Sequence, residues 1–197
     1  IANAMVADQK GILAADESTG TIKKRFDSIN TESTADSRRD YREMLFTTDE
    51  AMKNYISGVI LYDETIRQTA STGETLVSLI EKAGSIPGIK VDTGAKNMAL
   101  HEGEMITEGL DGLRERLAEY HDLGARFAKW RAVINIAEAR PSQACLNANT
   151  HALARYAALC QEARIVPIVE PEVIMDGDHS VERCYEVTSA ALTALFA

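Results

Sequence analysis

The stretch "ARFAKWRAVI", residues 125–134, reads as a buried strand that carries Lys129 and Arg131 in its middle. An unpaired buried cation is costly, so it sheds its charge or finds a partner. Side chains alternate faces along a strand. Phe127, Lys129 and Arg131 therefore share one face, and Trp130 points the other way, where packing against a helix is expected. Two cations on one inner face call for carboxylates, or an anionic ligand, opposite them.

The rest of the chain supplies such groups in the same pattern. In "IVPIVEPE", Val166, Ile168, Glu170 and Glu172 share a face. In "PGIKVD" the set is Gly88, Lys90 and Asp92, and in "GILAADE" it is Ile12, Ala14 and Asp16. Each begins apolar and ends charged. Pro167 and Pro171 each remove a backbone donor, which suits a strand at an edge or one pinned in shape.

Apolar runs at 10–18, 55–64, 87–94, 125–136 and 164–173 read as strands. Helical periodicity covers about 111–123, with Gly124 as a stop, then 149–163, then 180 to the end. Cys160 and Cys184 fall within these helical patterns. Strand–helix alternation with continuous apolar strands implies an α/β fold, a parallel sheet covered by helices. A (β/α) barrel and a doubly wound sheet both fit at this point. Both place their active site at the C-terminal ends of the strands, where these charges collect. A complete barrel takes roughly 250 residues. The 197-residue chain stops at "LTALFA", inside an amphipathic pattern, and reads as cut short.

Composition narrows the function. A 45% hydrophobic chain can form one globular domain, 1–197. A net charge of −9 argues against nucleic acid or an anionic membrane as partner. No apolar run is long enough to span a bilayer. The start, "IANAMVADQK", has no basic segment followed by an apolar core, and its lack of Met suggests an incomplete N-terminus. Cys145, Cys160 and Cys184 are odd in number without metal spacing, which suits free thiols in a reducing, cytoplasmic setting.

The chemistry follows from the collected charges. A lysine among other cations, in a cavity of low dielectric, loses its proton readily and becomes a nucleophile toward carbonyl carbon. Carboxylates nearby can move protons as a carbinolamine forms and dehydrates. Further Lys and Arg suit an anionic handle such as phosphate. On spacing alone Lys129 is the candidate Schiff-base lysine. A single charge at a strand end is more often a rim residue or a structural ion pair; the repeat over four strands is what favours a site. His101, His121, His151 and His179 form no paired ligand motif, and "DGDH" at 176–179 reads as a solvated turn, so no metal is expected. "STG" at 18–20 and "TASTGE" at 69–74 lack the arrangement of a nucleotide phosphate loop.

Several of these stretches together resemble class I, Schiff-base fructose-1,6-bisphosphate aldolases. They are "GILAADESTGTIKKR", "GVILYDET", "GIKVDTG", "TEGLDGL", "RFAKWR", "ARYAALCQ" and "IVPIVEPEV…DGDH", in order over essentially the whole chain. The resemblance implies a TIM (β/α)8 barrel, of which about the first five β/α units are present, truncated at both ends. It implies reversible cleavage of fructose 1,6-bisphosphate to dihydroxyacetone phosphate and glyceraldehyde 3-phosphate, with no cofactor and no metal. It also implies a homo-oligomer, a tetramer, with a sugar phosphate as its small-molecule partner.

Roles follow by position. Asp16 matches the carboxylate near the substrate C4 hydroxyl, and Lys90 a lysine touching substrate hydroxyl and phosphate. Lys129 and Arg131 match two interior cations, one acting electrostatically near the scissile bond and one binding anion. Glu170 matches the general acid/base of Schiff-base formation, and Glu172 a carboxylate that holds the lysines. Ser18 and Thr21 match phosphate-binding hydroxyls. The family's Schiff-base lysine lies on the next strand, in a Gly-Thr-Leu-Leu-Lys-Pro-like motif beyond Ala197, which displaces Lys129 from that role. A later Ser-Gly-Gly phosphate loop and a second phosphate-binding arginine also lie outside this chain. Arg164 stands where the family usually has glycine. The expectation is an aldolase whose 197-residue portion alone is inactive, the alternative being a silent fragment that binds phosphate or associates with other subunits.

Overall fold

Each of the five apolar runs forms a strand in the structure, a computed structural model that describes residues 1–197. These are β1 (Gly11–Ala15), β2 (Ile56–Leu61), β3 (Ile86–Lys90), β6 (Phe127–Ile134) and β7 (Val166–Val173), in the sheet order β1-β2-β3-β6-β7. A separate antiparallel hairpin, β4 (Ala95–Asn97) with β5 (Met105–Thr107), follows β3. The helices are α1 (Ala2–Met5), α2 (Thr19–Asp27), α3 (Ala35–Phe46), α4 (Asp49–Tyr55), α5 (Asp63–Ile66), α6 (Leu76–Lys82), α7 (Leu113–Asp122), α8 (Gln143–Glu162) and α9 (Val181–Phe196). This succession of parallel strands and helices is the first five units of a (β/α) barrel. No helix is long and apolar enough to cross a membrane.

Helix starts are written in the sequence as hydroxyl caps. Ser18, Thr34, Thr75, Ser142 and Ser180 each accept a hydrogen bond from a backbone N–H in the first turn of α2, α3, α6, α8 and α9. Such a bond satisfies one of the amides that a helix end leaves unpaired. At Thr34 the cap is reciprocal, because the Ser37 hydroxyl accepts from the Thr34 amide. The helix expected from 149 in fact begins at Gln143, just after its Ser142 cap. Its first two turns, "QACLNANT", bury the polar Asn149 and Thr150 beside Cys145 and Leu146, which hides the amphipathic pattern there.

The chain divides into two compact units. The first holds Ile1–Lys90, Leu117–Ala128 and Arg164–Val166. Here β1 pairs parallel with β2, and β2 with β3. The Arg126 amide donates to Pro87 O at 2.9 Å, and the Val166 amide donates to Arg126 O at 3.0 Å. Phe127, fully buried, lies over two glycines. A Cβ built at Gly88 would stand 2.3 Å from the Phe127 ring, and one at Gly58 would stand 2.9 Å from it. Glycine is required there by space, since the ring occupies the volume that any side chain would need.

The second unit holds Val91–Arg116, Lys129–Ala163 and Pro167–Ala197. The Val91 amide donates to Lys129 O at 3.1 Å, and the Ile174 amide to Ile134 O at 2.9 Å. On the face of β6 away from Lys129, Trp130 is fully buried, with its ring 5.5 Å from that of Tyr156 on α8. The sequence placed Trp130 in such helix packing. Ile134, Leu146, Val187 and Ala191 form a further buried cluster, joined by Ile136 and Val173. Cys145, Cys160 and Cys184 are free thiols, and burial pushes the Cys160 thiol up to about 12.

Arg164 follows the Ala163 C-cap of α8 with φ 59°, in the left-handed region where glycine is at home. The Arg164→Gly variant is expected to gain about 0.5–1 kcal/mol in urea unfolding. This is the left-handed penalty of about 1–2 kcal/mol less the added entropy of an unfolded glycine. Gly88→Ala is expected to lose about 2 kcal/mol through overpacking, and Gly58→Ala less. Trimming the ring with Phe127→Leu should restore part of the Gly88→Ala loss, and a urea midpoint series on the four proteins checks the order.

Candidate active site

The charged face of β6 is where the sequence question began. Strand alternation hides Ala128, Trp130, Ala132 and Ile134 completely, and leaves Lys129, Arg131 and Val133 partly open on the other face. Lys129 Nζ lies 3.4 Å from Glu170 Oε2 on β7, and Arg131 Nε donates to Glu172 Oε2. The two cations are thus matched, in order, by the two carboxylates of the next strand. Exposure separates the two cations, while the two carboxylates are about equally open. The Lys129 side chain is 15% exposed, whereas that of Arg131 is 42% exposed. The sequence reading had both cations buried; Lys129 is partly buried, and Arg131 is a half-exposed group at the rim.

Burial raises the Glu170 carboxyl above its ordinary value, an effect that the charge of Lys129 opposes and that of Glu172 reinforces. A carboxyl so placed keeps its proton to higher pH than a solvated one, which suits a group that must both give and take a proton. Glu172 was read as holding lysines; the structure gives it Arg131. All of β7 is only partly buried, and it is the last strand in the sheet order, in keeping with its two prolines.

Asp92, which shares a face with Lys90 on paper, has left the strand. Its Oδ1 accepts from the Gly94 amide at 3.0 Å, and its Oδ2 from the Arg131 amide at 3.3 Å. At 9% exposure it is a buried carboxylate satisfied by main chain. It ties the loop after β3 to the backbone of β6 beside Arg131. The signal was present in "VDTG", since aspartate two residues before a glycine favours a local side-chain turn. Arg116 braces the same loop by donating to Val91 O at 2.9 Å and to Gly109 O at 2.5 Å.

In the first unit, Lys90 is the last residue of β3 and is partly buried. Asp16, also partly buried, is the residue after β1, in the turn that leads to α2. Ser18 and Thr21 sit at the start of α2, with their hydroxyl oxygens 3.0 Å apart and the Thr21 amide donating to Ser18 Oγ at 3.3 Å. Two hydroxyls at the N-terminus of a nine-residue helix form a donor-rich corner, suited to anionic oxygen. The sequence reading passed over Glu17 and Arg42 on either side of this turn. Both are buried, with Arg42 Nη2 3.7 Å from Glu17 Oε2. A polar helix stretch such as "RRDYRE" gives no sign of which arginine turns inward.

Comparison with known proteins bears on this arrangement. The family model for class-I fructose-bisphosphate aldolase, a glycolytic family, matches residues 1–197. A probable fructose-bisphosphate aldolase class 1 of Xanthomonas campestris pv. campestris is 62% identical over 195 residues, covering 99% of this chain and 58% of the relative. The cytosolic fructose-bisphosphate aldolase 4 of Arabidopsis thaliana is 52% identical over 187 residues, covering 95% of this chain and 47% of the relative. Among solved structures, fructose-bisphosphate aldolase from Plasmodium falciparum, in complex with TRAP and a small-molecule inhibitor, superposes with a TM-score of 0.96 at 49% identity. That match covers 99% of this chain and 56% of the other. The chain spans about half the length of the relatives it matches. Its barrel strands, its charged strand ends and these likenesses agree: the chain belongs to the class-I fructose-bisphosphate aldolase family.

Proposed function

We propose that residues 1–197 supply the acid/base and phosphate-binding part of an aldolase that cleaves fructose 1,6-bisphosphate reversibly through a lysine Schiff base. The observation that carries this reading is the Lys129–Glu170 pair, a partly buried cation against a carboxyl raised by burial, at 3.4 Å on neighbouring strands. The nucleophilic lysine is assigned outside residues 1–197, on the strand that would follow α9 in the family pattern. The protein acts as a homo-oligomer in this proposal, with a sugar phosphate as its small-molecule partner.

In the reaction an amine adds to the C2 ketone, and the protonated Glu170 carboxyl gives a proton to the departing hydroxyl as the iminium forms. Asp16 then takes the proton from the C4 hydroxyl. The C3–C4 bond breaks, its electrons pass into the iminium to give an enamine, and the aldehyde leaves. Lys129 places positive charge where negative charge develops, which is worth most in a site shielded from water. Arg131, Lys90, Ser18 and Thr21 hold phosphate and hydroxyl oxygens. A guanidinium at the half-exposed rim suits a phosphate arriving from solvent.

Borohydride trapping tests the assignment. The folded 197-residue chain, incubated with dihydroxyacetone phosphate and reduced, is expected to gain no adduct by intact mass, with circular dichroism confirming the fold. A full-length product that carries the chain is expected to gain one adduct, and to cleave fructose 1,6-bisphosphate in a coupled assay. An adduct on Lys129 or Lys90 of the 197-residue chain overturns the proposed division of roles. The charge logic has its own test. Lys129 holds the Glu170 carboxyl down against desolvation. The Lys129→Met variant is therefore expected to shift the Glu170 titration midpoint further upward, read by carbon NMR of the side-chain carboxyl. A downward shift would contradict the pairing.

A further inference from the structure

We propose that Arg42 is a positioning residue whose guanidinium clamps the two peptide carbonyls flanking Asp16. Arg42 lies on α3 and is fully buried. Its Nε donates to Ala15 O at 3.1 Å, and its Nη2 donates to Glu17 O at 2.6 Å. Ala15 is the last residue of β1 and ends the ladder opposite Leu61. The α2 cap begins at Ser18. Residues 16 and 17 are therefore the short stretch between a strand and a helix, where the chain is tied by neither. Arg42 supplies the tie, from a helix 25 or more residues further along.

The donor geometry argues against a simple buried ion pair. A buried arginine normally spends its planar fork on a carboxylate, because that geometry repays desolvation best. Here the close hydrogen bonds go to main-chain carbonyls, and the Glu17 carboxylate stands back at 3.7 Å. Glu17 takes a closer partner, Arg25 Nη1 from α2, through its other oxygen. Glu17 thus balances the charge while Arg42 fixes the backbone. Two carbonyls separated by one residue, held by one rigid plane, restrict the dihedrals between them and so the direction in which Asp16 leaves the chain. Lysine offers no such fork.

This inference rests on the aldolase reading wherever it calls Asp16 catalytic, and two measurements keep the two apart. In the full-length product, Arg42→Met and Arg42→Lys are expected to lower kcat for fructose 1,6-bisphosphate cleavage by about 100-fold, the cost of misplacing a reacting group by about 1 Å. KM should stay within about threefold, since the phosphate contacts proposed above do not include Asp16. In the 197-residue chain, hydrogen exchange should show Arg42→Met losing protection at residues 16 and 17 by at least about tenfold relative to β2. If Arg42→Met does not fold, Arg42→Met with Glu17→Gln removes the carboxylate left unbalanced and carries the same readouts. An unchanged kcat, full rescue by lysine, or a uniform loss of protection across the sheet overturns the clamp. A wild-type product without aldolase turnover removes the aldolase reading, and the exchange pattern then decides the clamp by itself.

Discussion

A β-strand allows each side chain only one of two faces, and the placement of everything in this chain turns on how β6 uses that restriction. Its even-numbered positions, Ala128, Trp130, Ala132 and Ile134, are all fully buried. Its odd-numbered positions begin with Phe127, which fills the space over Gly58 and Gly88, and continue with the two cations. A slip of one residue would turn Trp130 onto the charged face and drive Lys129 into the packing against α8. Register is therefore fixed from both sides, by a large aromatic on each face. The Lys129–Glu170 and Arg131–Glu172 pairs inherit their alignment from it.

The two pairs differ chiefly in the exposure of their cations. At Glu170 desolvation favours the neutral carboxyl, against the opposing charge of Lys129. Arg131, two residues further along, meets more solvent than Lys129, while the two carboxylates are nearly equally exposed. One step of the strand repeat separates a mostly buried cation from a half-exposed one. Asp92 stabilises that boundary by accepting from the Arg131 amide, so the loop after β3 and the strand β6 hold a common register where the environment changes.

How much of this was legible depends on whether the signal is periodic. The five barrel strands were legible as apolar runs between helical patterns, and the charged ends of four of them and the inward–outward split of Trp130 against Lys129 are period-2 facts. The left-handed turn at Arg164 was legible for a different reason, through the resemblance, since the family usually has glycine at that position. The hairpin of β4 and β5 was not, because two three-residue strands carry too few side chains to show alternation. Nor was the inward turn of Arg42. A lone arginine in a polar helix looks solvated until the carbonyls of another segment, 25 and 27 residues away, arrive to receive its protons.

The corner formed by Ser18 and Thr21 carries one more consequence, which comes from counting protons. The two hydroxyls hold two hydrogens and lie 3.0 Å apart, so whichever donates to the other, a single hydroxyl hydrogen is left to point elsewhere. Ser18 Oγ already receives the Thr21 amide in capping α2. The four lone pairs of the two oxygens complete the count, since the amide and the shared hydrogen occupy two and two remain. The corner therefore offers one hydroxyl hydrogen beside two free lone pairs, a set that orients a ligand by direction without selecting its charge. Preference for an anionic oxygen there rests on the positive end of the α2 dipole, with no net charge added to an already acidic chain.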